Sequence, residues 1–290
     1  MHPVFQRLFV TPVDYQSLRF EGTIEKGRWK DGALRTLEGG SSYPVHKGIP
    51  DFVPSSPEAW TQNDIEMIRK DDWIRRNWES QVAEAQGASQ RVAFFKFMAE
   101  RDGIILDVAS GPGGGNMPGT IYYNSEAKVL MTDLGARVLH EWRSYLNDRS
   151  LGGNVCFAAL DATNMPIRSD SFDIVTSRGG FSNIPTPYTA LKEANRVLKR
   201  AGALLICEGT ITETSLSQLP EKVQNDWKKV FPQLGLSFEK LVADSGFSIE
   251  SCVPCQERAL VPDEAELPKV ATEYGVTLRI AEHYIHALKR

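Results

Sequence analysis

The spacing of apolar residues changes character twice along the chain. Residues 1–54 carry scattered glycines, charges and short extended pieces, and the proline-rich SSYPVHKGIPDFVPSSPEAW marks a boundary. A small β unit is expected there. From Thr61 to Glu100 the spacing turns helical, with Ile65, Ile68, Trp73 and Trp78 followed by Val92, Phe95 and Met98. Residues 55–102 therefore read as a helical cap or linker. Beyond Gly103, short apolar runs alternate with helical stretches. Strands are expected at Ile104–Val108, Val129–Thr132, Val155–Ala159, Phe172–Ser177, Ala203–Glu208, Phe247–Cys252 and Val276–Leu288, with helices such as Ala136–Leu146 and Tyr188–Leu198 between them. This alternation predicts an α/β fold for residues 103–290, a Rossmann-like, mostly parallel sheet with helices on both faces.

Composition narrows the class of protein. With 290 residues, 41% hydrophobic and 24% charged, the chain has material for a sizeable core and for more than one ordinary domain. Its longest apolar runs are about five residues, far short of the roughly 18 that span a bilayer. The start MHPVFQRLFVTPVD lacks a signal-peptide pattern, so no membrane association and a cytoplasmic location are expected. A net charge of -4 gives no broad positive field, which favours small substrates over duplex nucleic acid. The four cysteines, Cys156, Cys207, Cys252 and Cys255, are too few for a disulfide scaffold.

The most informative stretch is IILDVASGPGGG, an apolar strand running into a glycine-rich loop. Glycines there let backbone approach a ligand closely, and ligands of open α/β sheets sit beyond the carboxyl ends of strands. A second strand, VLMTD, ends in Asp133, placed to accept hydrogen bonds from ribose hydroxyls. The pair points to an adenosine-containing cofactor. A dinucleotide fingerprint needs a third glycine, but that count lands on Asn116. Asp107 would repel a pyrophosphate and attract a cationic amino acid. Asp133 and Asp161 also suit ordinary strand-end turns, whereas Asp107, in an apolar strand, needs a partner in the loop backbone or in a ligand.

Over Gly103 to Lys199 these residues resemble the class I S-adenosylmethionine-dependent methyltransferases of the small-molecule branch. The resemblance implies S-adenosylmethionine as cofactor, with Asp107, Ala109, Ser110, Gly111 and Gly113 at its methionine side and Asp133, followed by Leu134, at its ribose. Asp161 and Ala162, in FAALDATNMPI, would meet the adenine. SDSFDIVTSRGGFSNI then matches the fourth strand and active-site loop, bringing in Ser177. It implies methyl transfer to a small-molecule acceptor. A sulfonium methyl is already activated, so alignment and water exclusion carry the chemistry and no catalytic residue stands out. Acceptor contacts are expected from Arg178, from Trp73 and Trp78 in the cap, and from the insertion GTITETSLSQLPEKVQNDWKKVF. Arg178 equally suits a surface ion pair, and the tryptophans suit the core. A non-catalytic cofactor-binding or partner-recruiting protein and an RNA- or ribosome-associated methyltransferase are the alternatives.

The start of the chain resembles the zinc-ribbon-like module attached to methyltransferases of this branch, through RLFVTPVDYQSLRFEG and YPVHKGIPDFV. Thr11, Asp14, Thr36 and Gly39 stand where its metal ligands would be, so no metal is expected. Phe20, Trp29, Tyr43 and Phe52 are expected to hold the unit by packing. Cys252-Val-Pro-Cys255 falls at a strand end without a following helix, unlike a redox motif. His140 reads as a surface residue, and His283 and His286 as pointing to opposite faces of one strand.

Overall fold

The computed structural model describes residues 1–54, 60–230, 234, 237–260 and 266–290. Residues 55–59, at the expected start of the cap, and Phe231, at the end of the insertion, lie outside them. In chain order the elements begin with α1 (Pro3–Gln6), β1 (Leu18–Glu25), β2 (Arg28–Thr36), β3 (Ser42–His46) and β4 (Ile49–Pro50). Three helices follow, α2 (Gln62–Lys70), α3 (Trp73–Ala85) and α4 (Gln90–Ala99). Then come β5 (Ile104–Asp107), α5 (Met117–Tyr123), β6 (Lys128–Asp133), α6 (Ala136–Asp148), β7 (Val155–Ala159), β8 (Phe172–Arg178) and α7 (Pro187–Val197). The last third holds β9 (Leu198–Ile211), α8 (Glu213–Leu216), α9 (Glu221–Val230), α10 (Phe238–Asp244), β10 (Phe247–Ala259), α11 (Glu266–Glu273) and β11 (Arg279–Lys289).

Seven strands form one sheet in the order β10-β11-β9-β8-β5-β6-β7. β7, β6, β5, β8 and β9 run parallel, and β11 lies antiparallel between β9 and β10. The parallel α/β architecture is the one the alternation predicts. Chain order reverses between β5 and β8, and such a switch point opens a crevice at the carboxyl ends of the strands. Alternate strand residues feed two cores. Leu106, Leu130, Val175 and Leu204 pack with α7, α10 and the amino-terminal residues, whereas Ile105, Val129, Ile174 and Leu205 pack with α2, α4, α5 and α6. Three expected strands change length. β9 spans Leu198–Ile211 rather than Ala203–Glu208. β10 runs on past Cys252 to Ala259, and Val276 and Leu278 leave the last strand for a satellite cluster with Leu216, Leu219, Leu267 and Ala271. That cluster joins the insertion after β9 to the segment before β11.

The amino-terminal meander β1-β2-β3-β4 shares the first core. Phe20 stacks on Trp29 at 4.8 Å, Tyr43 meets Phe52 at 4.9 Å, and Phe5 reaches Phe172 at 6.4 Å. The Phe52 amide donates to the Ala159 carbonyl at the end of β7 (2.9 Å), tying the meander to that edge of the large sheet. The Thr11 hydroxyl donates to Asp14 and accepts the Gln16 amide (2.8 Å). The Thr36 hydroxyl accepts the amides of Gly40 (2.9 Å) and Ser41 (3.1 Å). His140 departs from expectation. It is half-buried, 5.5 Å from the His46 ring, and burial and then His46 push its pKa down to about 4.

Candidate active site

The loop after β5 contains glycines of two kinds. A Cβ at Gly115 would lie 2.0 Å from an Asp107 oxygen, and one at Gly114 would lie 2.4 Å from the Trp142 ring, so these glycines face inward. Both have positive φ, +54° and +71°, which adds backbone strain to any replacement. Gly113 differs. A Cβ there would come no nearer than 3.9 Å to any atom, and at Gly111 no nearer than 3.6 Å, the neighbour being Trp60. Gly111 and Gly113 thus leave the crevice side of the loop bare, and a ligand can lie against backbone there.

The outward carbonyls of the loop are held from the cap and from α6. The Trp142 indole donates to Gly111 O (2.9 Å), Asn77 to Pro112 O (3.3 Å), Gln81 to Gly113 O (2.6 Å) and Arg91 to Gly115 O (2.7 Å). Arg91 is fully buried and also reaches Asn116 Oδ1 (2.9 Å), Gln81 Oε1 (2.8 Å) and Glu84 (2.7 Å). A buried guanidinium is tolerable only when its fork is satisfied, and this one is. Asp107 completes the clamp from below. Its carboxylate is buried and accepts the Asn116 amide (2.8 Å) and the Ser110 hydroxyl (3.2 Å). Burial pushes this carboxyl up to about 7 against the pull of those donors. The loop backbone is therefore the partner its apolar strand demanded. Ala109 sits at φ 51°, a left-handed conformation that costs a residue with a Cβ roughly 1–2 kcal/mol.

Asp133 ends β6 beside this loop. It accepts the Gly111 amide (2.9 Å) on Oδ2, and the Gly135 amide (3.0 Å) and the Trp60 indole N–H (2.9 Å) on Oδ1. Burial raises its pKa while these donors lower it. Leu134 is exposed next to it. Asp161, one strand further out, accepts the amide (2.8 Å) and hydroxyl (2.7 Å) of Thr163 through Oδ1, so one of its oxygens closes a turn. Ala162 packs on the first core.

At the other side of the switch point, Ser177 is buried and donates to Val108 O (2.9 Å), fastening β8 to β5 rather than opening to a ligand. The loop after β8 is gripped by Glu208, three residues before the end of β9. Its carboxylate takes the amides of Gly180 and Phe181 (both 3.1 Å) on Oε1 and of Ser182 (3.0 Å) on Oε2, and burial pushes it up to about 7. Arg178 is exposed at the tip of β8, where it pairs with Cys207 of β9, and its side chain makes no hydrogen bond or ion pair among the described residues. The tryptophans divide. Trp78 packs at 5.9 Å on Tyr145 of α6 in the second core, and Trp73 is 38% exposed on the same helix. Trp78 is thus a packing residue. Glu208, Trp60, Trp142, Gln81 and Arg91 escape sequence reasoning, because each acts on loop backbone or a distant carboxylate and none falls in a local motif.

A model of the ubiE/COQ5 methyltransferase family matches residues 75–277, more than half of the chain. The ubiquinone/menaquinone biosynthesis C-methyltransferase UbiE of Shewanella sp. (strain ANA-3) is 28% identical over 204 residues, covering 70% of this chain and 73% of that protein. The UbiE protein of Cellvibrio japonicus is 32% identical over 118 residues, covering 39% of this chain and 47% of its own. Among solved structures, a Bacillus halodurans protein assigned as a methyltransferase superposes with a TM-score of 0.53 at 21% identity, over 70% of this chain and 99% of that one. The [4+2]-cyclase SpnF superposes at 0.50 with 16% identity, over 80% and 97%. The last two show the fold alone, and their differing descriptions illustrate that fold does not fix reaction. No helix among the described residues is long and apolar enough to cross a membrane. From the extent of the family match, the chain belongs to the ubiE/COQ5 methyltransferase family and is an S-adenosylmethionine-dependent enzyme that methylates a small molecule.

Proposed function

We propose that the crevice above Gly111 and Gly113 holds S-adenosylmethionine, and that the acceptor is a quinol-type aromatic ring methylated at carbon. The observation that carries the cofactor site is the two-sided loop, whose bare glycines lie beside the carboxylate of Asp133. Asp133 binds the ribose hydroxyls, and Ala109, Ser110, Gly111 and Gly113 border the methionine end. Asp107 and Ser177 act one layer below, holding the loop and the strand ends. Asp161, Ala162 and Leu134 border the adenine. When bound, the cofactor supplies a methyl group activated by its sulfonium. The acceptor class rests on the UbiE relatives, which are described as ubiquinone/menaquinone C-methyltransferases. At the acceptor end, Arg178 supplies an uncompensated positive charge that stabilises a ring phenolate and so raises electron density on the carbon to be methylated. The ring proton then leaves to solvent. The fit is tested by calorimetry with S-adenosylhomocysteine. Asp133→Ala is expected to weaken binding at least tenfold, about 1.4 kcal/mol. Equal affinity in the variant rejects the assignment, and label from the methyl group appearing on no quinol in a cell extract rejects the acceptor class.

The amino-terminal meander reads as a metal-free counterpart of a zinc ribbon. The support is local: the hydroxyls of Thr11 and Thr36 accept backbone amides at turns where the resemblance puts cysteine thiolates.

A further inference from the structure

The Cys252-Val-Pro-Cys255 segment is split by the sheet. Cys252 pairs with Ile285 and packs on the first core, whereas Cys255 falls at a bulge in β10, opposite the second. Its neighbour there is a different cysteine. The sulfurs of Cys207 and Cys255 and a carboxylate oxygen of Glu282 all lie within 4.8 Å of one another. The three residues come from β9, β10 and β11. Because β11 lies between β9 and β10, the two cysteines are two strand spacings apart, about 10 Å between backbones. A disulfide needs less than about 7 Å between Cα atoms, so it cannot close here without moving a strand. Thiols that converge in this way are suited to share a third body.

We propose that Cys207, Cys255 and Glu282 form a binding site for a thiophilic divalent cation of the Zn²⁺ type. Two sulfurs and one carboxylate match the donor preference of such an ion, which takes three protein ligands and leaves a fourth position for water. Bond lengths of about 2.3 Å to sulfur bring ligand atoms to roughly 3.8 Å of each other, a contraction that rotation of the exposed Cys255 and the half-buried Glu282 supplies. Glu282 is already oriented. Gln256 donates to its Oε2 (2.8 Å), and Gly209, its partner on β9, has no side chain where the Glu282 stem crosses, since a Cβ would meet Cγ at 2.9 Å. Cys207 is buried and Cys255 exposed, which gives the ion one protected wall and one route in.

Surrounding charges oppose each other. Glu208 adds negative potential at Cys207 and the Tyr284 hydroxyl, kept protonated by burial, bonds the Cys255 thiol, while Arg178, paired with Cys207 across β8 and β9, opposes a cation. Burial and the nearness of Cys255 and Glu282 push the Cys207 thiol up to about 12. Crowding of groups that become negative is relieved by a cation, and binding must release both thiol protons to solvent, so affinity rises with pH. The bound ion would pin the β10–β11 hairpin to β9 at the residue next to Glu208, which holds the active-site loop.

The test uses the full chain, reduced and stripped with a chelator, titrated with Co²⁺ as a spectroscopic probe. A thiolate-to-cobalt charge-transfer band with tetrahedral d–d absorption is expected, saturating at one ion per chain and displaced by Zn²⁺. Cys255→Ser, on an exposed side chain, should weaken binding by about 100-fold or more and abolish the band, and Glu282→Gln should weaken it about tenfold. Cys252→Ser should leave the titration unchanged. No band in the reduced wild-type chain overturns the proposal, as does a band that survives Cys255→Ser or depends on Cys252.

Discussion

The two sides of the switch point are built on different logic. On the cofactor side, β5 and β6 are short, and the loop between β5 and α5 is fixed by donors to its carbonyls and by Asp107 beneath it. On the acceptor side, β9 and β11 extend to 14 and 11 residues, and one carboxylate, Glu208, carries three amides of the loop after β8. The first side is tied to several neighbouring helices. The second, beyond its own turn bonds and the buried Phe181, is tied to the sheet chiefly through Glu208 and the Gly179 amide on Cys207 O. Binding a fixed cofactor rewards the first arrangement, while adapting to an acceptor rewards the second.

Gly115→Ala breaks the cofactor side most severely. Its Cβ would sit 2.0 Å from Asp107 Oδ1 at φ +54°, so a loss of more than about 3 kcal/mol in urea unfolding is expected, along with cofactor binding. Gly113→Ala is the matched control, because a Cβ there meets nothing in the chain closer than 3.9 Å. It should leave stability within about 0.5 kcal/mol and still weaken S-adenosylhomocysteine binding. If both variants lose stability alike, the division into inward and crevice-facing glycines is wrong.

The buried carboxyls give the next largest effect. Folded Asp107 keeps its proton up to about pH 7, whereas an unfolded aspartic acid loses it near 3.8. Between those values the folded state holds more protons, so stability falls as pH rises through the window and is flat below it. Glu208 adds a second fall between 4.5 and about 7. Each contributes at most about 1.4 kcal/mol per pH unit. Asp107→Asn should remove one share of the slope in unfolding measured from about pH 4 to 7; an unchanged slope would show that Asp107 is ionised throughout.

On the acceptor side, Glu208→Gln turns an acceptor into a donor against one of three amides. A loss of about 1–3 kcal/mol in stability is expected, with the loop after β8 gaining hydrogen exchange at Gly180 to Ser182. Cofactor affinity should hold, since the loop after β5 has its own supports. A parallel loss of affinity would join the two sides into one unit.

How far the sequence reveals each side follows from this contrast. The parallel strands, the glycine loop and Asp133 are legible because short continuous apolar runs, backbone approach to a ligand and a strand-end acid each leave a local mark. Asp107 is legible as a residue in need of a partner, though the partner is the Asn116 amide. Arg91 and Gln81 are illegible. On a helix they read as solvated face, and only packing of α3 and α4 on α5 buries them against loop carbonyls. The length of β10 and the departure of Val276 and Leu278 from the last strand are hidden for the same reason, since both are decided by neighbours distant in sequence.

Trp60 offers the finest probe of the cofactor side. Its indole N–H occupies Asp133 Oδ1, and the ring edge lies 3.6 Å from where a Gly111 Cβ would stand and 2.6 Å from one at Gly135. The ring thus covers the carboxylate proposed to take the ribose hydroxyls. Either the hydroxyls replace the indole, or the indole stays and shares one oxygen. Trp60→Phe keeps most of the ring and removes the donor. If replacement occurs, the variant no longer has to give up a hydrogen bond worth about 1 kcal/mol, and S-adenosylhomocysteine should bind up to about fivefold more tightly. If the indole shares Asp133 with the ligand, affinity falls instead. The sign of this small change, read by calorimetry, tells whether the cap opens the ribose site or completes it.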